Sequence, residues 1–194
     1  TYSTSAIDKI YLKATIFANI YQGFESRPFN ILDDDSANFG LRSSFSYDFE
    51  NRKKSKVQFG FEISKEEYNY DLYRTEDGIQ GEQFQQNQEL RSSTQFFAQY
   101  NMNFLDDLEL EIGLNANLTS YTLDDQFASD MTDISGEYNY SWIYSPRLNI
   151  KYSLNESDHL YGLISHGYSI PTLEETLTPD GLINNDIKPE IGLN

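Results

Sequence analysis

The stretch Leu108–Thr119, LELEIGLNANLT, alternates between apolar and polar side chains along its whole length. Every even position carries an apolar residue: Leu108, Leu110, Ile112, Leu114, Ala116 and Leu118. Because successive residues of a β-strand point to opposite faces, this period of two predicts a strand with one apolar and one polar face. A shift of one residue would move every apolar side chain to the other face, so the pairing register of this strand is tightly specified.

The same alternation recurs on both sides of this stretch. It predicts strands over residues 10–20, 39–49, 57–63, 96–104, 140–152 and 159–168, and residues 191–194 resemble the opening of a further strand. Together these segments predict an all-β chain of about seven to eight antiparallel strands. Tyr11, Phe17 and Phe97 are exceptions that place aromatic rings on the polar phase. Pro146 falls inside a predicted strand, where its missing backbone donor predicts a bulge.

The predicted connections between these strands alternate in length. Long polar connections are predicted at 23–38, 69–89, 123–137 and 169–190, and short turns at 50–55, 105–107 and 154–158. In an antiparallel sheet this alternation places all long connections at one end, which is the arrangement of outer-membrane β-barrels. A membrane-spanning strand needs only about 10 residues, alternately apolar, so a hydrophilic average composition is compatible with such a barrel. Aromatic residues near the strand ends, including Tyr121, Tyr138 and Tyr140, are expected in the girdles at the membrane interfaces.

The composition excludes several functions. A formal net charge of −17, from 31 acidic and 14 basic residues, would repel the phosphate backbone of a nucleic acid, so no nucleic-acid partner is expected. The chain has no cysteine, two histidines and no glycine-rich phosphate loop, so neither an enzyme nor a cofactor is expected. The run Asp33–Asp35 cannot easily turn three adjacent side chains toward one ion, so we interpret it as a solvated acidic loop and predict no metal site.

The sequence around the last long connection is rich in proline. It reads SHGYSIPTLEETLTPDGLINNDIKPE over residues 165–190, where three prolines prevent any regular element from running through it. This segment resembles the late barrel region of TonB-dependent outer-membrane receptors, and among these it is most similar to the ferric-siderophore receptors. Two further segments, SPRLNIKYSL at 145–154 and FESRPFNILDDDSANFGLR at 24–42, extend the resemblance more loosely in the same order.

The resemblance implies a fold and a role for the whole chain. Residues 1–194 are then part of the β-barrel domain of a TonB-dependent receptor with roughly 22 strands, and the plug and the remaining strands are absent from the chain. Such receptors lie in the bacterial outer membrane, in contact with its lipid, and import a scarce ligand such as a ferric siderophore or a similar small molecule. The TonB complex drives import through an N-terminal part of the protein that is missing here.

Two groups of candidate site residues follow from this resemblance and from the strand pattern. Ligand contact is expected from aromatic residues of the long connections and from arginines on the polar phase: Tyr70, Tyr73, Phe84, Phe127, Arg42 and Arg147. The proline-rich segment is expected to position the receptor mouth, and its charged residues are expected to have partners within the loop or in neighbouring loops. The residues of this family-motif loop are Pro171, Glu174, Glu175, Pro179, Gly181, Lys188, Pro189 and Glu190.

Two other interpretations stay open at the level of sequence. A complete small outer-membrane barrel, acting as a porin or an adhesin, fits a length of 194 residues but requires a terminal strand that closes the sheet. A soluble β-sandwich that binds carbohydrate also fits an alternating sequence, but it requires that two apolar faces bury each other. The order of the strands and the exposure of the apolar phase therefore distinguish the three interpretations.

Overall fold

The computed structural model describes residues 1–7, 9–49, 54–127, 133–172, 174–176, 178, 183–184 and 186–194, without the side chains of residues 5–7, 76 and 174. In these residues ten strands form one antiparallel sheet, which confirms the predicted fold class. The strands are β1 (Tyr2–Ile7), β2 (Ile10–Ser26), β3 (Asn30–Asp48), β4 (Lys56–Glu76), β5 (Ile79–Leu105), β6 (Leu108–Asp125), β7 (Gly136–Asn139), β8 (Ile143–Ser153), β9 (His159–Ser169) and β10 (Glu190–Leu193). Of these, β1 and β7 are additional to the strands predicted from the sequence. Among the described residues, no helix has the length and hydropathy needed to cross a membrane.

Strands that follow each other in the sequence are neighbours in the sheet. The order is β1-β2-β3-β4-β5-β6-β8-β9-β10, and β7 pairs with the end of β6 beyond β8. The connections β2–β3, β4–β5, β6–β7 and β9–β10 therefore lie at one end of the sheet, which we call the upper end, as the sequence predicted. In the described part, β1 and β10 are the two edges of the sheet and do not pair with each other. The sheet is therefore not the closed small barrel that one alternative required.

Three of the predicted long connections are wrong in extent. Residues 23–38 and 69–89 are largely strand, because β2 and β3 are joined by a short turn and β4 and β5 by Asp77 and Gly78 alone. Both of these turn residues have a positive φ, 53° and 80°, as a two-residue hairpin turn of this kind requires. The connection predicted at 123–137 loses both of its ends to β6 and β7. These segments consist mainly of polar residues, so they lack the regular alternation that reveals a strand.

The strand predicted over 140–152 is two strands in the structure. Residues 140–142 separate β7 from β8. The bulge expected at Pro146 is wrong, because this residue pairs with Leu114 without a register shift. The ladder between β8 and β9 begins at Arg147, so the proline, which has no N–H to donate, falls just beyond the end of that ladder.

The pairing register aligns the apolar positions of successive strands into rows across the sheet. One row runs through Leu12, Phe45, Phe59, Ala98, Leu114 and Pro146. No second layer covers the described part of this face, since Ile16 is 82% exposed and Ile112 is 51% exposed. A β-sandwich buries its apolar phase against another sheet, so the sandwich interpretation is wrong. We call the apolar face the outer face and the opposite, polar face the inner face.

Glycines on neighbouring strands explain two of the three aromatic exceptions, whereas Tyr11 pairs with Ser46. Phe17 is the direct register partner of Gly40, and Phe97 is the partner of Gly60. A Cβ atom added to Gly40 would lie 2.1 Å from Cζ of Phe17, so the aromatic ring already occupies the space above the glycine. An aromatic ring that covers a glycine across the ladder helps to fix the pairing register. The rings therefore lie on the polar face for a structural reason.

Candidate functional site

The lower part of the inner face is polar and carries ion pairs between neighbouring strands. Nζ of Lys151 lies 2.9 Å from Oε1 of Glu109, and Nζ of Lys56 lies 3.4 Å from Oδ1 of Asp48. Both pairs are partly exposed to solvent, so each contributes only about 0–1 kcal/mol to stability. Their main effect is to neutralise these cations in place.

Arg42 and Arg147, two of the predicted ligand-contact residues, belong to similar pairs. Arg42 forms an ion pair with Glu62, its direct register partner on β4. One terminal nitrogen of Arg147 lies 3.3 Å from Oε1 of Glu111 and also donates a hydrogen bond to Gln99. The two guanidinium groups therefore brace the inner wall, and neighbouring carboxylates already balance their charges.

Tyr70 and Tyr73, two of the four predicted aromatic contacts, lie on opposite faces of the sheet. Tyr70 lies on the inner face, where its hydroxyl oxygen accepts a 2.7 Å hydrogen bond from Nδ2 of Asn87. Tyr73 lies three residues further along β4 and so faces the other way, where its hydroxyl donates to Oδ2 of Asp71 at 3.3 Å. One of these two tyrosines is therefore placed to meet a ligand that enters along the inner face.

Phe84 and Phe127, the other two aromatic candidates, have separate surroundings near the upper end. The guanidinium carbon of Arg74 lies 5.7 Å from the centre of the Phe84 ring, within the range of a cation–π contact. Phe127 follows β6, and its backbone N–H donates a 3.0 Å hydrogen bond to Oδ1 of Asp125. The structure therefore does not gather the four aromatic residues into one site.

A buried aromatic cluster lies on the inner face at the upper end. It contains Tyr121, Leu123, Tyr138 and Tyr140, with Ile134, Ile170 and Ile183 packed against it. The hydroxyl of Tyr138 donates to the carbonyl oxygen of Ile187, and that of Tyr140 donates to the carbonyl oxygen of Pro171 at 3.2 Å. These contacts dock the described residues of the family-motif loop onto the inner face. The prediction that the three tyrosines belong to a membrane-interface girdle is therefore wrong.

A reciprocal pair of hydrogen bonds holds the start of this loop. The N–H of Thr172 donates to Oε2 of Glu175 at 2.8 Å, and the N–H of Glu175 donates to Oγ1 of Thr172 at 3.3 Å. This is a capping box, in which a threonine and a glutamate three residues later satisfy each other's backbone donors. Thr176 is fully buried, and its carbonyl oxygen accepts a 2.8 Å hydrogen bond from the N–H of Asn184. The prediction that Glu175 has a partner within the loop is confirmed.

The remaining loop residues take different positions. Glu190 opens β10 and pairs with Ser169, and Pro189 before it is partly buried. Lys188 is exposed, and in the described part of the chain no carboxylate lies within ion-pairing distance of it, so its expected partner is not found there. Three predicted features lie outside the described residues: Pro179, Gly181 and the side chain of Glu174.

Arg91 lies on the polar phase of the sequence, like Arg42 and Arg147, but is not among the predicted ligand contacts. It lies on the inner face of β5, and its guanidinium carbon is 5.5 Å from the centre of the Tyr121 ring. It lines a concavity of about 180 Å³ at the upper end, formed by Glu66, Tyr68, Glu89, Arg91, Tyr121 and Thr172. The signal for it in the sequence is its position on the polar phase, which indicates that it faces the inside of the barrel.

The tyrosines around this concavity stay protonated at neutral pH. Burial raises the pKa of Tyr68, and the 3.0 Å hydrogen bond that its hydroxyl donates to Asp34 raises that pKa further. Burial also raises the pKa of Tyr140 to about 12. It raises the pKa of Tyr121 as well, although the charge of Arg91 opposes that shift. These phenols therefore act as neutral hydrogen-bonding groups and not as phenolates.

The upper inner face thus offers a guanidinium group, carboxylates and neutral hydroxyls. Within the described residues, no group of three or more His, Cys, Asp or Glu side chains is placed to hold a metal ion. A concave surface with a few convergent polar groups is suited to binding a polar ligand through hydrogen bonds and charge.

Comparison with known proteins identifies the family of the chain. The family model described as TonB dependent receptor-like, beta-barrel, matches residues 2–194. Among curated protein sequences, none matches the chain significantly.

Solved structures share the fold at low sequence identity. The ferric citrate transporter FecA in its unliganded form has a TM-score of 0.79 at 13% identity, over 97% of this chain and 29% of that one. FpvAI, solved in complex with pyocin S2, has a TM-score of 0.74 at 12% identity, over 98% of this chain and 29% of that one. FauA, the alcaligin outer-membrane receptor of Bordetella pertussis, has a TM-score of 0.68 at 14% identity, over 98% of this chain and 32% of that one.

The chain therefore spans about a third or less of the length of each of these receptors. At such identities the structures establish the fold alone, and the family model adds the relationship in sequence. Because that model matches almost every residue, this chain belongs to the TonB-dependent receptor β-barrel family, whose members are receptors and transporters of the outer membrane and not enzymes.

Proposed function

We propose that the protein containing this chain takes up a ferric siderophore, or a similar scarce small ligand, across the outer membrane. The chain supplies part of the barrel domain, while a plug inside the barrel and a segment that contacts the TonB complex belong to the rest of the protein. Solved structures of the same fold include a ferric citrate transporter and an alcaligin receptor, and this supports a ligand of the siderophore type.

The observation that carries this proposal is the change in the inner face from the lower to the upper end. Lower down, the cations of Arg42 and Lys151 are neutralised by ion pairs with carboxylates on neighbouring strands. At the upper end, Tyr68, Tyr121 and Arg91 surround an open concavity of about 180 Å³. A ligand that arrives from outside the cell meets this upper end first, where side chains can bind it without breaking an ion pair.

The protonated tyrosines favour an iron chelate over a bare ferric ion. A tyrosine binds a ferric ion as its phenolate, so it must lose its proton to become a ligand. The pKa of Tyr140 is raised to about 12 by burial, and that of Tyr68 is raised by burial and by Asp34, so phenolates are scarce at neutral pH. Iron would therefore arrive inside a ligand that supplies its own oxygen donors.

Uptake of radioactive iron by whole cells tests the proposal. A strain that lacks the full-length protein is compared with the same strain expressing it, each with an intact and with a deleted TonB gene, against a panel of ferric siderophores. We expect iron accumulation from at least one siderophore only when both the protein and TonB are present. Accumulation that does not need TonB would indicate a porin, and no accumulation from any siderophore, with the protein present in the outer membrane, would refute the proposal.

A further inference from the structure

Arg91 shares the inner face near the upper end of the sheet with four other side chains of the concavity. Glu66 is its register partner across the β4–β5 ladder, and Tyr121 is its partner across the β5–β6 ladder. Tyr68 and Glu89 are partners of each other in the next inner-face row above. These residues share one face because strand residues two positions apart point the same way. Two adjacent cross-strand rows therefore form the wall of the concavity.

Arg91 differs from the paired cations lower on this wall. Lys151 and Arg42 each contact a carboxylate on the neighbouring strand. Arg91 has Glu66 opposite it in register, yet within the described residues its guanidinium lies at ion-pairing distance from no carboxylate and sits over the ring of Tyr121. The side chain is exposed. A stacked guanidinium directs its N–H donors to the rim of the ring, where they can meet a planar acceptor such as a carboxylate in a bidentate manner.

The other polar groups of the concavity are mainly hydrogen-bond acceptors. The hydroxyl of Tyr68 donates its proton to Asp34 at 3.0 Å, which leaves its oxygen as an acceptor toward the concavity. Glu66 and Glu89 add two carboxylates on the same face, and Thr172 borders the concavity from the loop. The concavity therefore combines a cationic donor with anionic acceptors.

We infer that this concavity is a subsite for a zwitterionic, amino-acid-like group of the imported ligand, an inference that rests on the proposed function. The carboxylate of that group faces Arg91, and its ammonium group faces Glu66 and Glu89. The concavity, with a volume of about 180 Å³, has room for a small polar group beside Arg91. A purely anionic group would be repelled by the two carboxylates, and a purely cationic one would offer Arg91 no acceptor, so a group with both charges matches both kinds of side chain.

Saturation-transfer NMR with free L-alanine as the probe tests the subsite in the full-length protein in detergent micelles. L-Alanine carries both charges, whereas N-acetyl-L-alanine methylamide has a related shape and carries neither. We expect wild type to bind L-alanine in preference to the neutral amide. In Arg91→Gln and in Glu66→Gln the dissociation constant for L-alanine should rise on the order of tenfold, because each change removes one charged partner. Lys65→Gln is the matched control, since Lys65 precedes Glu66 on the outer face, and it should bind L-alanine like wild type.

Two results would overturn the subsite: equal L-alanine binding by wild type and Arg91→Gln, or equal binding of L-alanine and the neutral amide by wild type. If Arg91→Gln does not fold, Glu66→Gln decides the question by the same criterion. The outcome can be separated from that of the iron-uptake experiment. Charge-dependent L-alanine binding without TonB-dependent iron uptake would refute the proposed function alone, and iron uptake with charge-independent L-alanine binding would refute the subsite alone.

Discussion

Residues 57–63 and 65–76 belong to the same strand, β4, but their outer faces have opposite chemistry. The outer-face residues of the lower segment are Val57, Phe59, Phe61 and Ile63. Those of the upper segment include Lys65, Glu67, Asn69 and Asp71. The pairing of β4 with β3 nevertheless continues without a register shift from Lys56 to Arg74. The change in chemistry therefore marks the edge of the apolar band and not the end of the strand.

In the upper region, hydrogen bonds across the outer face replace the apolar rows. Nδ2 of Asn69 donates to Oδ2 of Asp35 at 3.2 Å. Nε2 of Gln88 donates to Oδ1 of Asn69 at 3.0 Å and to Oε1 of Glu67 at 2.9 Å. Such a face is stable in water, because its polar groups bond to each other and to solvent. Alternation in a sequence thus reports a strand with an apolar surface on one side and a polar one on the other, and a strand that meets water on both sides lacks that signal.

The largest effect expected from the exposed lower band is on solubility. When residues 1–194 are produced alone, we expect them to aggregate in plain buffer and to disperse only in detergent. The reason is that their outer apolar face is uncovered and their two edge strands are unpaired. Light scattering combined with size-exclusion chromatography measures this. A monodisperse monomer that unfolds cooperatively in buffer would show that the outer face is not a lipid contact.

An arginine placed on the outer face of β6 compares the two regions within one strand. Ile112 lies in the apolar band and is 51% exposed, whereas Thr122 is on the same face above the band. We expect Ile112→Arg to cost about 2–4 kcal/mol near the bilayer midplane and Thr122→Arg about 0–1 kcal/mol. Unfolding of the full-length protein by denaturant in lipid vesicles measures both. Equal costs would contradict the proposed edge of the band, and spin labels at Ile112 and Asn115 should report lipid and water respectively.

A methyl group added to an inner-face glycine should have a smaller effect. A Cβ atom at Gly40 would lie 2.1 Å from Cζ of Phe17, whereas one at Gly162 would meet nothing within 4 Å. We expect Gly40→Ala to cost about 1–3 kcal/mol, because the ring must move, and Gly162→Ala to be nearly neutral. In the double variant with Phe17→Ala, the cost should be smaller than the sum of the single costs. Strictly additive costs would show that the ring does not cover the glycine.

The strand segments that could be predicted are those whose outer-face residues form the apolar band. The segment predicted at 108–118 is the lower portion of β6, which continues as strand to Asp125. Its upper continuation differs, because there Ser120 and Thr122 make the outer face polar while Tyr121 and Leu123 lie on the inner face, so the phase of the alternation changes. Most of 69–89 was predicted as a loop because it consists mainly of polar residues. The prediction of an all-β, antiparallel chain is nevertheless confirmed, because these segments mostly extend strands that were already predicted.

In the candidate site, contacts between residues close in the sequence could be predicted, whereas contacts between strands could not. The partner of Glu175 could be predicted, because a capping box is a pattern of four adjacent residues. The partners of Arg42 and Arg147 could not, because Glu62 and Glu111 are brought to them by the register of other strands. The polar phase indicated that Arg91 faces the inside, but its contact with the Tyr121 ring could not be predicted, because it depends on how β5 pairs with β6.

The smallest predicted effect concerns the capping box at the start of the family-motif loop. Glu175→Ala removes the acceptor for the Thr172 N–H, which it holds at 2.8 Å, so we expect a local cost of about 0.5–2 kcal/mol. Glu175→Gln is the matched control, because glutamine can fill the same capping position. Hydrogen exchange and limited proteolysis of the full-length receptor, read out by mass spectrometry, should show lower protection of the loop in Glu175→Ala than in Glu175→Gln. Ile112→Arg lowers global stability because it places a charge in the bilayer. Glu175→Ala affects only one pair of hydrogen bonds in the loop, so the global unfolding transition should hardly move. If Glu175→Ala reduced ligand affinity by orders of magnitude with loop protection unchanged, Glu175 would be a ligand contact and not a positioning residue of the loop.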